Sequence, residues 1–173
     1  MNITLRHLKL EDRDQFYKAI NSNWDGFSFV HYWESVAQEN FEKYVEILPG
    51  FSKGLHIPNE HIPCTFLFAF NENEEIVGRT SIRHELTEQL LKEGGHIGYA
   101  VLPEFRKKGY ATLILKESLN YIKDQLRSIN KVLVTCDEDN IASQKTIEKN
   151  NGELENILTL ANGKKKRRYW IQI

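Results

Sequence analysis

The apolar positions of the chain fall into two regimes. Near the start they recur at helical spacing, at Phe16, Ala19, Ile20 and Trp24 and again at Ala37, Phe41, Tyr44, Val45 and Leu48. These predict helices over 11–24 and 35–48, the second stopped by Pro49-Gly50, after a first strand over 3–8. The stretch 51–63 carries two prolines, two histidines and Gly54 and predicts a loop. From Thr65 the pattern becomes strand-like. Thr65–Phe70 is continuously apolar, as in a strand covered on both faces, and Ile76–Arg83 pairs with it across the polar turn 71–75. A third strand over 96–102 ends at Pro103. Ala111, Ile114, Leu115, Leu119, Ile122 and Leu126 then share one face of a helix over 110–126. KVLVTC at 131–136 predicts a buried strand, 140–150 a short helix, and 157–160 with 169–173 a closing hairpin around Asn162-Gly163.

The resulting order is β-α-α-β-β-β-α-β-α-β-β. Strand and helix alternate only from His96 onward, which predicts a mixed sheet in an α/β (α+β) fold rather than a regular doubly wound one. About 25 residues, mostly helix, join the strands at His96 and Lys131, a length that a parallel crossover requires.

Length suits one domain over 1–173, large enough to fold without a disulfide or metal staple. Charge narrows the partners. Twenty-three Lys+Arg balance twenty-four Asp+Glu, so neither a polybasic nucleic-acid binder nor an acidic tail protein is expected. The longest apolar run, Phe66–Phe70, is far short of the ~20 residues of a membrane helix. The first fifteen residues hold Arg6, Lys9, Glu11, Asp12, Arg13 and Asp14, so no signal-peptide core is expected. Cys64 and Cys136 lie far apart in apolar runs, as small buried hydrophobes of a reducing cytoplasm do. No metal site is expected.

The chemistry concentrates in 96–112, HIGYAVLPEFRKKGYAT. A strand ends at a proline, three cations follow (Arg106, Lys107, Lys108), then Gly109, then the long helix. Unpaired N–H groups and the positive dipole end at a helix start, with added cations and a glycine, make an anion site suited to phosphate or pyrophosphate. The alternative is a solvated basic turn. No Walker pattern or G-x-G-x-x-G at a strand-to-helix turn is present, which argues against a kinase or dinucleotide dehydrogenase. A second run, Lys164–Arg168, directly follows the Asn162-Gly163 turn and leads into the last strand; it is read as a cationic turn rather than a nucleic-acid footprint.

Arg106–Ala111 matches the [Q/R]-x-x-G-x-[G/A] signature of the GCN5-related N-acetyltransferases (GNAT), and Gly98–Pro103 resembles the strand that leads into it. Asn140–Ser143 through Glu148–Gly152 resembles the family's later helix, and the order of elements agrees over nearly the whole chain. The resemblance implies an acyl-CoA N-acyltransferase (GNAT) fold and an acetyl-CoA-dependent N-acetyltransferase acting on an amine of a small molecule or peptide. The competing reading is a non-catalytic acyl-CoA sensor module. It further implies that backbone at Tyr99, Ala100 and Val101 pairs with the pantetheine arm. Backbone N–H groups of Arg106, Lys107, Lys108, Gly109, Tyr110 and Ala111 hold the pyrophosphate, and Thr112 adds a hydroxyl. Asn140 and Ser143 approach the pantetheine and Lys145 reaches a phosphate. Asn140 equally reads as a simple helix cap.

In this family an amine attacks the thioester directly, so a base or a water chain must take its proton. His84 and His96, each at a strand end, are the first candidates, with Glu85 and Asp137 behind them; ordinary surface or hydrogen-bonding roles compete. Ile147 stands where the family often has a tyrosine that protonates the leaving thiolate, which leaves Tyr99, another tyrosine, water or unassisted departure. The segment 24–63 lies where the family builds its acceptor wall. It offers Trp24, Phe27, Phe29, His31, Tyr32, Trp33, His56 and His61, fit either for an ammonium head or for plain core packing. The resemblance leaves room for a homodimer.

Overall fold

The computed structural model describes residues 1–24 and 28–173; Phe27 lies outside them. β1 (Thr4–Arg6), β2 (Cys64–Phe70), β3 (Ile76–Arg83) and β4 (Ile97–Val101) form one antiparallel sheet in that order. β5 (Lys131–Asp137), β7 (Lys165–Gln172) and β6 (Glu153–Thr159) form a second, in the order β5-β7-β6. Helices α1 (Arg13–Ile20), α2 (Glu34–Glu39) and α3 (Phe41–Ile47) precede β2. α4 (Tyr110–Gln125) joins the two sheets and α5 (Ile141–Glu148) follows β5. The fold class is the expected one, but every ladder is antiparallel and the sheet is divided between β4 and β5.

Each face of the first sheet carries apolar cover. Phe16, Phe41, Tyr44, Phe66, Phe68 and Phe70 are buried in one cluster with α1–α3. Ile82, Ile97, Leu115, Ile122, Val134 and Ile147 lie in another, which binds α4 and α5 to the second sheet. β2 is buried along its whole length, as its unbroken apolar run requires. Cys64 and Cys136 are buried and free, and burial pushes both thiols up to about 11.

The differences from the periodicity have local causes. The helix expected over 35–48 is two, because Asn40 leaves helical geometry (φ −145°, ψ 83°) and its side-chain oxygen accepts the Lys43 N–H at 3.0 Å. The first helix stops at Ile20, where Asn21 and Ser22 side chains donate back to the Tyr17 and Lys18 carbonyls. A 3-10 turn at Leu48–Lys53 enters the expected loop, and a π turn forms at Leu90–Gly94. β7 begins four residues earlier than the apolar pattern suggests. Three of its four cations are paired: Lys165 with Glu138 (3.5 Å), Lys166 with Asp137 (2.6 Å) and Arg168 with Glu155 (2.6 Å).

The two sheets meet at one place. The His96 N–H donates to the Leu133 carbonyl (2.7 Å), and the Leu133 N–H donates to His96 Nδ1 (2.9 Å). Gly95 lets the chain approach: its φ is +65° and ψ −174°, and a Cβ there would lie 2.5 Å from the Leu133 oxygen. This region of backbone space is open essentially to glycine alone. Gly95→Ala is therefore expected to cost about 2–4 kcal/mol, read from urea unfolding. A change under about 0.5 kcal/mol would contradict the close approach.

Candidate active site

Beyond His96 the two strands part. Arg83 N–H donates to the His96 carbonyl and Leu102 N–H to the Val77 carbonyl, so even-numbered β4 residues bond to β3. Tyr99 and Val101 therefore turn their own N–H and C=O groups toward the gap. A cavity of about 440 Å³ fills that gap, lined by Trp24, Tyr99, Ala100, Val101, Arg106, Ala111, Asn140, Ala142, Ser143 and Thr146. It shares Val101, Arg106, Ala111, Ala142 and Thr146 with a neighbouring cavity of about 360 Å³, to which Lys107, Gly109, Tyr110, Thr112, Lys145 and Lys149 also contribute. Together they make one cleft from the parted strands to the cationic turn.

The turn is built to present N–H groups. Lys107 (φ 61°) and Gly109 (φ 88°) are both left-handed, and Gly109 is the residue before α4. Alternation with left-handed residues at a helix start curls backbone N–H groups into an anion-binding concavity. Among the described residues, Arg106, Lys107 and Lys108 have no carboxylate partner, in contrast to the paired cations of β7. Lys108 lines neither cavity; its Nζ lies 5.4 Å from the Phe105 ring centroid. Arg106 stands 5.8 Å from the Trp24 ring.

On the opposite wall Asn140 caps α5, its side-chain oxygen taking the Ser143 N–H at 3.0 Å. The Ser143 hydroxyl meets the Tyr99 hydroxyl at 2.9 Å, tying α5 to β4 across the floor of the cleft. Burial pushes the Tyr99 phenol up to about 12, so it stays protonated and is a hydrogen-bond donor near neutrality. Sequence reasoning did not place Trp24 in this cleft, nor Ala142, Thr146 and Lys149, all of which line it. The last two were findable by helical spacing, one turn on from Ser143 and Lys145. Ile147 is fully buried in the core and does not face the cleft.

The two histidines are elsewhere. His96 is 7% exposed, and its Nδ1 is used by Leu133. Burial, reinforced by Arg83, pushes its pKa down to about 4. His84 Nε2 is 2.9 Å from the Thr65 hydroxyl, and burial lowers its pKa too. Neither lines the cleft. Asp137 is held by Lys166, and Glu85 is exposed.

A third cavity, about 550 Å³, lies among the residues before β2 and after β3. It is lined by His31, Tyr32, Asn59, Glu60, His61, Ile62, Arg83, Thr87, Gln89, Leu90, Glu93 and Gly94. Of the expected acceptor wall, His31, Tyr32 and His61 are here. Trp24 is in the cofactor cleft, Phe29 is in the core, and Trp33 donates its indole N–H to the His56 carbonyl. Trp33, His56 and Glu60 all have positive φ, a concentration of backbone strain beside this cavity. Burial, with the charges of Arg79 and Arg83, pushes His31 down to about 3. Among the described residues no group of three or more metal-ligating side chains occurs, and no helix is long and apolar enough to cross a membrane.

A family model described as an acetyltransferase (GNAT) domain matches residues 2–153. The uncharacterised N-acetyltransferase YjdG of Bacillus subtilis (strain 168) is 29% identical over 85 residues, 49% of this chain and 48% of that protein, so the match spans about half its length. The ribosomal-protein-S5-alanine acetyltransferase of Vibrio fischeri superposes with a TM-score of 0.70 at 14% identity, covering 99% of this chain and 93% of that one. The microcin C7 self-immunity acetyltransferase MccE, solved with acetyl-CoA and AMP, gives 0.67 at 21% identity, with coverage of 99% and 93%. At these identities the superpositions speak to the fold.

The depressed histidines carry a pH dependence. An unfolded His96 titrates near 6.5 and the folded one near 4, so between those values the unfolded chain binds a proton that the folded chain refuses. Stability is thus full above about pH 6.5 and declines as pH falls toward 4. His96→Gln is expected to flatten this decline in urea midpoints measured from pH 7 to 4. His7, His31 and His84, also lowered, sustain the remainder. An unchanged slope would show that His96 is free to protonate in the fold.

Proposed function

The chain belongs to the acetyltransferase (GNAT) family, and on that premise we propose that it transfers an acetyl group from acetyl-CoA to the amine of a small molecule or peptide. The observation that carries this reading is the single cleft that runs from the outward-facing backbone of Tyr99 and Val101, where Arg106 Nε meets the Val101 carbonyl at 3.3 Å, to the cations around Gly109 that have no carboxylate partner among the described residues. Its two ends differ in chemistry as the two ends of the cofactor do. The strand edge suits the amide groups of an extended pantetheine arm, which it would take as an added strand. The glycine turn suits a pyrophosphate, with Lys145 and Lys149 on α5 as further charges.

Bound acetyl-CoA supplies the thioester carbon to which the amine nitrogen bonds as the carbon–sulfur bond breaks. The chain's own part is to hold and orient. Asn140 sets the first turn of α5, and Ser143 and Tyr99 hold a protonated hydroxyl pair on the cleft floor. We assign His96 to the clasp between the sheets and His84 to a bond with Thr65, because one ring nitrogen of each is engaged and neither residue lines the cleft. The amine proton then leaves through water.

Calorimetric titration with acetyl-CoA is expected to show micromolar binding, and an amine panel is expected to release CoA thiol. Gly109→Asp places a charge and a side chain at the pyrophosphate end and should weaken acetyl-CoA at least about a hundredfold. No heat or thermal shift at millimolar acetyl-CoA would sink the cofactor assignment. Binding without thiol release from any amine would leave a sensor, not a transferase.

A further inference from the structure

Resting on that reading, we infer that the acceptor carries a carboxylate close to its reactive amine, and that Arg83 holds it. Arg83 ends β3 and lines the third cavity, half-buried. One arm of its guanidinium is spent on backbone: Nη1 donates to the carbonyls of Gly94 and Gly95 at 3.2 and 3.1 Å. These bonds fix the plane of the group. Among the described residues Nη2 and Nε have no hydrogen-bond partner, and neither is among the buried polar atoms sealed without one. Among the described residues no carboxylate stands within ion-pair distance of Arg83. A half-buried guanidinium whose free edge opens on a cavity is a site for a planar, bidentate anion.

Its position ties it to the reaction. A Cβ built on Gly98 would lie 3.6 Å from Nη2 and 3.7 Å from Nη1, so the guanidinium lies beside β4 one residue before Tyr99. A carboxylate there leaves an amine a few bonds away at the point where the strands begin to part. The acids of the cavity are Glu60 and Glu93; neither forms an ion pair with Arg83, and Glu93, although next to Gly94, accepts from Gln89 Nε2 at 3.4 Å. The chemistry is that of an amino acid with a free carboxylate. A peptide or protein amino terminus, whose first carboxyl is an amide, is the opposed outcome.

The test compares amino acids with their own carboxamides as acceptors in the thiol-release assay. The pair shares the amine and side chain and differs in the charge. The carboxamide's amine is the less basic, so a preference for the acid runs against intrinsic availability of free amine. We expect kcat/KM for the preferred acid to exceed that of its amide by at least about tenfold, the factor carried by a hydrogen bond to a charged group. Arg83→Gln should erase the difference, and Arg83→Lys should retain part of it, with acetyl-CoA affinity unchanged in both. Equal use of acid and amide, preference for the amide, or no turnover of either set overturns the inference. The first comparison needs only the wild-type chain and decides the matter if Arg83→Gln fails to fold. Failure of the transferase reading would show instead as loss of acetyl-CoA binding or of thiol release across all amines.

Discussion

The architecture turns on one short join between two antiparallel sheets. Gly95 brings the chain against β5, and His96 closes the contact with its backbone N–H and a ring nitrogen. A side chain replaces what would be the next rung of a parallel ladder. Because that rung is an imidazole and not a peptide, pairing ends there. The Val101 carbonyl takes Arg106 Nε at 3.3 Å, and the Tyr99 edge groups and the Val101 N–H face the cleft. A buried strand edge without partners is costly, so a molecule that supplies amide groups along it gains what the fold gives up.

Two ends of the molecule are brought to this gap by different physics. α4 arrives by hydrophobic burial of Ile114, Leu115 and Ile122 and by the Ser118 hydroxyl, which donates to the Thr80 hydroxyl at 2.9 Å. That fixes the helix start and the cationic turn. α5 arrives by a capping bond and the Tyr99–Ser143 contact, a lighter attachment. On the other side of β3, the aromatic cluster of α1–α3 holds the segment that carries His31 and Tyr32, whose rings lie against Phe66 and Phe51. The third cavity is thus walled by the aromatic core and floored by the end of a strand.

Much of this was legible in the chain. β3 was read to the residue because its apolar stretch is bounded by a polar turn, and α4 because its apolar stripe is long and follows Gly109. The turn chemistry was legible because it is local: cations, glycine and helix start adjoin in sequence. What escaped was set by distant partners. Asn40 fits the helical period yet prefers to cap. Lys165–Arg168 looked like a loop because cross-strand acids, not apolar faces, make it a strand. Thr65 and Leu133 each engage one ring nitrogen of His84 and His96, and nothing near them in sequence says so. Arg83 passed as a strand terminus until Gly94 and Gly95 folded back onto it.

The contrast between the two basic runs has a physical corollary. In β7 three of the four cations are partnered within the fold, so dissolved salt acts on them by loosening the terminal hairpin, weakly, as for any exposed ion pair. In the turn before α4 the cations are unpartnered, so the same salt leaves the fold alone and competes with an incoming anion instead. Ionic strength therefore separates the runs by observable, one through unfolding and the other through occupancy.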